Sequence, residues 1–329
     1  AGACRQLSGV CGRAPEGRRT FMSIPFIKSF DFEYGRSDQL SPTVRRIICN
    51  NPGPFTFTGT GTYLLGQNSI AVIDPGPVND DHLAALLAAA GNGKITHIVV
   101  THTHKDHCGG VAALKEATGA SVYGSRVHPE NNGMNAPALD EGADLTYRPD
   151  KVLADGDVLG TDEWQLETLA TPGHISNHLC FALPAERALF TGDHIMGWAT
   201  TVVAAPDGNM TDYYNSLDLL LERDDEIYYP THGAPVSDPQ NFVRAVKEHR
   251  EMRDAQVLAQ LKAGHTRIMD MVAEMYKDVD KSLHIAAALN VQAHLERHVS
   301  AGRVTQEGES LLNAEYRLME SDHPSTSSG

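Results

Sequence analysis

Between Thr101 and Gly110 the chain reads THTHKDHCGG, which sets His102, His104, Asp106 and His107 within one short run. Alternate residues of an extended segment face the same way, so His102 and His104 can grip one ion. The turn that follows redirects Asp106 and His107, whose mixed oxygen and nitrogen donors suit a second divalent metal beside the first. Three more donors each close a β-like run next to a glycine: His174 in TPGH, Asp193 in LFTGDH and His232 in YYPTHG. Glycine lets such a loop close tightly on an ion. The set amounts to five imidazoles and two carboxylates, enough for a dinuclear site. Zinc lowers the pKa of bound water from about 15.7 to about 7, and paired cations also take up charge on a scissile group. The chemistry expected is therefore hydrolysis by activated water, with no Ser, Cys or Thr nucleophile. Two zinc ions suit the imidazole-rich donors, and iron or manganese at one position is compatible with the carboxylates.

Those donors need elements long enough to bury a core. The chain has 329 residues, 41% of them hydrophobic, which suffices for one large domain with an appendage or for two medium ones. From residue 26 to 162, short β-rich runs alternate with helical ones: strands at 61–66, 69–74 and 95–100, helices at 80–90 and after Gly110. From 164 to 232 the theme returns, with strands near 165–168, 178–183 and 188–191. Two such β/α halves predict a layered sandwich. Residues 241–261 read as a helix, with Gly264 as its break. Beyond it, helices at 268–277, 282–290 and 291–301, then β-prone runs at 303–305 and 316–318, follow the order of a winged helix-turn-helix.

The sequence resembles the metallo-β-lactamase superfamily over roughly residues 26–261, on the match of His102 to His107 to its HxHxDH motif and of His174, Asp193 and His232 to its later ligands. The resemblance implies an α/β fold, the four-layer αβ/βα sandwich. It implies that His102, His104 and His174 hold the first zinc, that Asp106, His107 and His232 hold the second, and that Asp193 bridges both. The attacking group is then a hydroxide between the metals, oriented by Asp106 as the catalytic residue. The IDPG run resembles the family's structural aspartate motif and makes Asp74 a support for the HxHxDH loop rather than a ligand. His178, four residues after His174, is either a further support or a strand cap. Tyr213 and Tyr214 either line the substrate cleft or pack in the core. An aspartate at position 193 is similar to thioesterases, lactonases and nucleases of the superfamily and unlike true β-lactamases. GTGTYLLG at 59–66, GDHIMG at 192–197, DYYNSLDLL at 212–220 and the winged helix resemble the branch of β-lactamase-like protein 2, linked to single-stranded RNA cleavage. The related glyoxalase II group cleaves thioesters.

The expected organisation is a disordered N-terminal extension (1–21), a metallo-β-lactamase-fold catalytic domain (22–262), a winged-helix-like C-terminal domain (263–320) and a disordered tail (321–329) with nothing apolar to bury. The extension, with four arginines and one acid, reads as an upstream remnant or as organelle targeting. No run approaches the roughly 18 apolar residues of a membrane span, so no membrane partner is expected. Five widely spread cysteines read as reduced thiols and favour the cytoplasm. A net charge of −15 repels polyanions, and residues 265–320 carry six Lys and Arg against nine Asp and Glu. A small ester or thioester is thus the favoured substrate. Nucleic acid is disfavoured by charge, RNA cleavage stands as the alternative, and lactone or β-lactam hydrolysis follows it. The acidic C-terminal module is expected to pack over the cleft or to form a homodimer contact.

Overall fold

The computed structural model describes residues 23–127, 142–277, 280–281, 284–308 and 313–319. The expected extension (1–21) and tail (321–329) lie outside the described residues. The first sheet runs in chain order: β1 (Ser37–Gln39), β2 (Val44–Ile48), β3 (Gly61–Leu65), β4 (Ser69–Ile73), β5 (Lys94–Val100), β6 (Ser121–Gly124) and β7 (Lys151–Val152). Pairing is antiparallel up to β4 and parallel from β4 onward. The change falls where helices enter the connections, because parallel neighbours need a crossover. α1 (Asp80–Ala90) joins β4 to β5, and α2 (Lys105–Cys108) and α3 (Val111–Thr118) join β5 to β6. α1 starts where Asn79 accepts the His82 backbone N–H and two aspartates occupy the first turn.

The second sheet holds β8 (Val158–Gly160), β9 (Gln165–Ala170), β10 (Leu179–Leu183), β11 (Ala188–Gly192) and β12 (Ile227–Pro230). Only β11 and β12 pair in parallel, across α4 (Met210–Leu221). Alternation along the strands decides the layers. Tyr63, Leu65 and Ile73 of the first sheet meet Phe181, Leu183 and Phe190 of the second. Their neighbours point the other way. Leu64, Val72 and Ile98 pack on Leu86 of α1 and Leu114 of α3. Cys180, Ala182 and Leu189 pack on Leu217 of α4 and on Phe242 and Val246 of α5 (Pro239–Lys262). This is the layered sandwich that the two β/α halves predict, in the four-layer αβ/βα form that the resemblance implies.

The C-terminal domain is a winged helix of α6 (Ile268–Met275), α7 (His284–Ser300) and the hairpin β13 (Val304–Glu307) with β14 (Glu315–Leu318). The sequence predicts two helices over 282–301, but α7 runs unbroken from His284 to Ser300. Asn290, the apparent break, lies inside it with its amide 3.4 Å from the Ala286 carbonyl, a bond made within the helix. The missing third helix is the end of α5, whose Val257 and Leu261 pack with Met271, Val272, Leu295 and Tyr316. The C-terminal core therefore crosses Gly264. α5 and α7 also meet at Asp254, which accepts from His294 Nδ1 at 3.1 Å, Arg297 at 3.1 Å and His298 Nε2 at 3.0 Å. Among the described residues no helix is long and apolar enough to cross a membrane.

Phe181 is fully buried between the sheets. Phe181→Ala should cost about 3–5 kcal/mol, read as a lower urea midpoint at an unchanged m-value.

Candidate metal centre

The donors sit on strand ends and the loops that follow them. After β5 the chain stays extended through His104, which leads α2 at φ −67° and ψ 143°. This carries His102 and His104 to one place before the short helix turns Asp106 and His107 inward. His174 follows β9, Asp193 follows β11 and His232 follows β12. The donor atoms form three overlapping groups, each within 4.8 Å: His102, His104 and His174; His102, His107 and Asp193; Asp106, His107 and His232. His104 Nδ1 lies 3.0 Å from His102 Nε2 and 3.1 Å from His174 Nε2. His232 Nε2 lies 3.1 Å from Asp106 Oδ2. Asp193 stands between the groups: Oδ1 is 3.4 Å from His107 Nε2 and 3.5 Å from His232 Nε2, while Oδ2 is 3.8 Å from His174 Nε2. All seven donors singled out in the sequence are thus brought together.

Which nitrogen each ring turns inward follows from the outer partners. Asp74 is fully buried at the end of β4, at φ +49°, a conformation that aspartate tolerates better than most residues. Its Oδ1 accepts the Thr101 N–H at 2.8 Å; its Oδ2 accepts from Thr101 Oγ1 at 2.8 Å, His107 Nδ1 at 2.8 Å and Thr231 Oγ1 at 3.0 Å. Since the Thr101 hydroxyl proton goes to Asp74, its oxygen can only accept from His102 Nδ1, 3.0 Å away. His174 Nδ1 donates to the Val202 carbonyl at 2.6 Å and His232 Nδ1 to that of Gly59 at 3.3 Å. Four imidazoles therefore point Nδ1–H outward and an Nε2 lone pair inward. Two of those lone pairs converge on His104 Nδ1, which carries at most one proton. An electron-pair acceptor in their midst removes the conflict, and a divalent cation is one. Among the described residues His107 Nε2 and Asp193 Oδ1 are likewise buried without a hydrogen-bond partner, the kind of orphan that a cation satisfies. The residues fit a metal centre.

The charge balance agrees. Burial alone would raise the Asp106 carboxyl, but His107 and His232 outweigh it and hold it at about 2. Asp193 is also held well below the usual range, because His232 and His107 outweigh its burial. Burial opposes a charged His107, yet Asp106, Asp193 and Asp74 push it well above its ordinary value. The carboxylates thus call for positive charge at that nitrogen, which a metal supplies in place of a proton. Burial, then the neighbouring imidazoles, press His102 well below its ordinary value and keep it neutral.

His178 stands outside the donor set. Its Nδ1 meets Thr171 Oγ1 at 2.9 Å and its Nε2 accepts the Asp193 N–H at 3.1 Å. Burial and then His194 and His174 hold it well below its ordinary value, as an acceptor nitrogen requires. Gly192, at φ +50°, is needed there, since a Cβ would come within 2.6 Å of His178 Nε2. Tyr213 and Tyr214 do not line the cleft. Both are buried on the inner face of α4 with Met210, Leu217 and Leu220, a helical core spacing, and Tyr213 Oη donates to the His194 carbonyl at 3.0 Å. Sequence reasoning missed Thr101, Thr231, Thr201 and the carbonyls of Gly59 and Val202. Thr201 Oγ1 donates to the Asp193 carbonyl at 2.5 Å. A cleft of about 430 Å³ opens over His104, Asp106, His174 and Asp193, walled by Pro52, Pro54, Phe55, Met196, Trp198 and Val202, with Ala286 of α7 at its side.

A four-layer sandwich with this donor set at its strand ends is the signature of one class of metal-dependent hydrolase, and the chain belongs to the metallo-β-lactamase superfamily. The sequence profile of that superfamily matches residues 56–232, and that of the beta-lactamase associated winged helix domain matches 268–311. Among curated relatives, the Beta-lactamase-like protein 2 homolog of Caenorhabditis elegans is 33% identical over 273 residues, 81% of this chain and 88% of that protein. An atrochrysone carboxyl ACP thioesterase of Aspergillus fumigatus is 34% identical over 230 residues, 68% of this chain and 66% of its own. A metallo-beta-lactamase family protein of Thermus thermophilus shares the fold with a TM-score of 0.69 at 21% identity, over 85% of this chain and 100% of its own.

His82 on α1 supports this centre from behind: its Nε2 lies 2.8 Å from Thr62 Oγ1, which donates to the Asp74 carbonyl at 2.7 Å. Burial pushes His82 down to about 4. The unfolded chain then binds the proton more readily, so this stability is complete above about pH 6.5 and is lost as the pH falls toward 4. Its size is up to about 3 kcal/mol. His82→Gln keeps a donor for Thr62, and urea unfolding of the metal-free protein at pH 7 and 4.5 should show a smaller acid loss than in the wild type. Equal losses would refute the assignment.

Proposed function

We propose that this protein is a dinuclear zinc hydrolase acting on a small ester and, by preference, a thioester. His102, His104 and His174 would hold one ion and Asp106, His107 and His232 the other, with Asp193 shared. Five imidazole donors favour zinc, and iron or manganese at one position remains compatible. Ions held there would lower the pKa of a water ligand toward about 7 and stabilise charge on the scissile carbonyl. Asp106, kept ionised by His107 and His232, would accept a hydrogen bond from the attacking water and orient it. Asp193 would be fixed for its part by His178 and Thr201, which grip its backbone on both sides.

The observation that carries the substrate reading is the cleft wall. It is mainly apolar, with Asn51, Thr56, Thr200 and Thr201 as its polar side chains outside the donor set, and among its described residues there is no Lys or Arg. An acyl chain would be desolvated there, whereas the phosphates of a polyanion that flank the scissile group would find no basic side chain. No Lys, Tyr or Cys stands in the described lining to protonate a departing alkoxide. That favours a thioester, whose thiol has a pKa of about 8.5. The similarity to a thioesterase supports the same choice. Single-stranded RNA cleavage is the second reading, supported by the winged helix and by the C. elegans relative. Cys108 and Cys180 are buried thiols outside any disulfide, which supports a reducing, cytoplasmic location.

Zinc-loaded protein should hydrolyse acyl thioesters with a kcat/KM that rises about 3- to 4-fold per added methylene until the cleft is filled. Asp106→Ala and Asp193→Asn should each lose at least about 100-fold. A single-stranded RNA oligomer, assayed beside them, should stay intact. RNA cleavage that needs Asp106, with thioesters untouched, would overturn the thioesterase reading in favour of the nuclease.

A further inference from the structure

Arg250, midway along α5, is a charged side chain only 2% exposed. Burying a guanidinium is costly unless it is well paired. Among the described residues no carboxylate pairs with it. Its NH1 instead donates to Asn290 Oδ1 of α7 at 2.8 Å, and its NH2 to the Thr201 carbonyl at 2.5 Å. Its guanidinium carbon lies over the Tyr213 ring, 5.3 Å from the centroid, and its Nε has no partner among the described residues. What it grips is a two-residue segment with two further attachments. Thr201 Oγ1 holds the Asp193 carbonyl at 2.5 Å, and the Val202 carbonyl accepts His174 Nδ1–H at 2.6 Å. Through one hydroxyl and one carbonyl this short stretch thus holds the backbone of Asp193, whose carboxylate faces both donor groups, and fixes the tautomer of a donor histidine. Arg250 ties that stretch to α5 and, through Asn290, to the winged helix.

We propose that Arg250, steadied by Asn290, is a positioning residue of the metal centre, so that the C-terminal domain governs how firmly His174 and Asp193 hold their ions. The inference rests on the reading of those two residues as ligands. A guanidinium suits the task because it reaches two acceptors in different elements at fixed angles. Partners behind the ligands of a metal centre typically matter by about 10- to 100-fold in affinity.

The test is zinc affinity of the full chain, measured by competition with a chromogenic chelator, beside thermal melts of the zinc-free proteins. Arg250→Gln should weaken zinc binding by about 10- to 100-fold, Asn290→Ala should weaken it less, and Arg250→Lys should recover part of the loss through one bond to the Thr201 carbonyl. Arg253→Ala, which removes a side chain that meets Gln256 and the Tyr276 ring away from the centre, should match the wild type. A folded Arg250→Gln that binds zinc like the wild type would overturn the inference, as would an equal loss in Arg253→Ala. If Arg250→Gln does not fold, Asn290→Ala decides, and unchanged affinity in it overturns the coupling. A wild type that binds no zinc would instead refute the donor-set reading, and this inference with it.

Discussion

The carboxylate of Asp74 is the contact on which the rest of the centre depends. It gathers the ends of three strands, its own β4, the segment after β5 through Thr101 and His107, and the end of β12 through Thr231. Each bond to it also fixes a proton. With Thr101 Oγ1 committed as a donor, His102 has one available tautomer, and His107 is fixed by its direct bond. Both rings are thereby aimed with lone pairs toward the cleft before any ligand arrives. A buried carboxylate that needs several donors is placed where the chain can supply all of them at once, where the ends of β4, β5 and β12 meet.

The sandwich provides what that contact needs. The space between the sheets is filled by side chains such as Tyr63, Phe181 and Phe190, so it is closely packed and resists deformation. Polar chemistry is confined to one rim, where the strands stop and loops begin. There the carboxylates and imidazoles lie within a few ångströms of one another, an arrangement that would be unfavourable without mutual neutralisation. The acidic surface of the molecule and the cationic demand of its centre are separate matters. The first acts on approaching partners, the second on the ions held inside.

The donors were legible because their spacing is local or because each sits beside a glycine at a strand end. The HxHxDH run is informative by itself, since three imidazoles and a carboxylate so close together have few other uses. The devices that hold them were harder to read. Val202 and Gly59 act through carbonyl oxygens, which every residue has. Thr101 and Thr231 left a trace, as each directly precedes a donor histidine. Tyr213 and Tyr214 were open to misreading as cleft residues, although the spacing Met210, Tyr213, Tyr214, Leu217, Leu220 marks one face of a helix. Asn290 resembles a helix break by residue type, but its amide bonds within the helix and the packing of Ala288, Val291 and Leu295 carries α7 through.

α5 belongs to two cores. Phe242 and Val246 at one end lie against the second sheet, and Val257 and Leu261 at the other lie under the winged helix. A helix of 24 residues is a rod of about 36 Å, and a rod transmits angle as well as distance. Each residue added within it would advance the C-terminal domain by about 1.5 Å and rotate it by about 100°. The phase of this one helix therefore selects which side of α7 faces the cleft. Relatives that differ in its length by a single residue would present a different wall to their substrates, even with every loop residue the same.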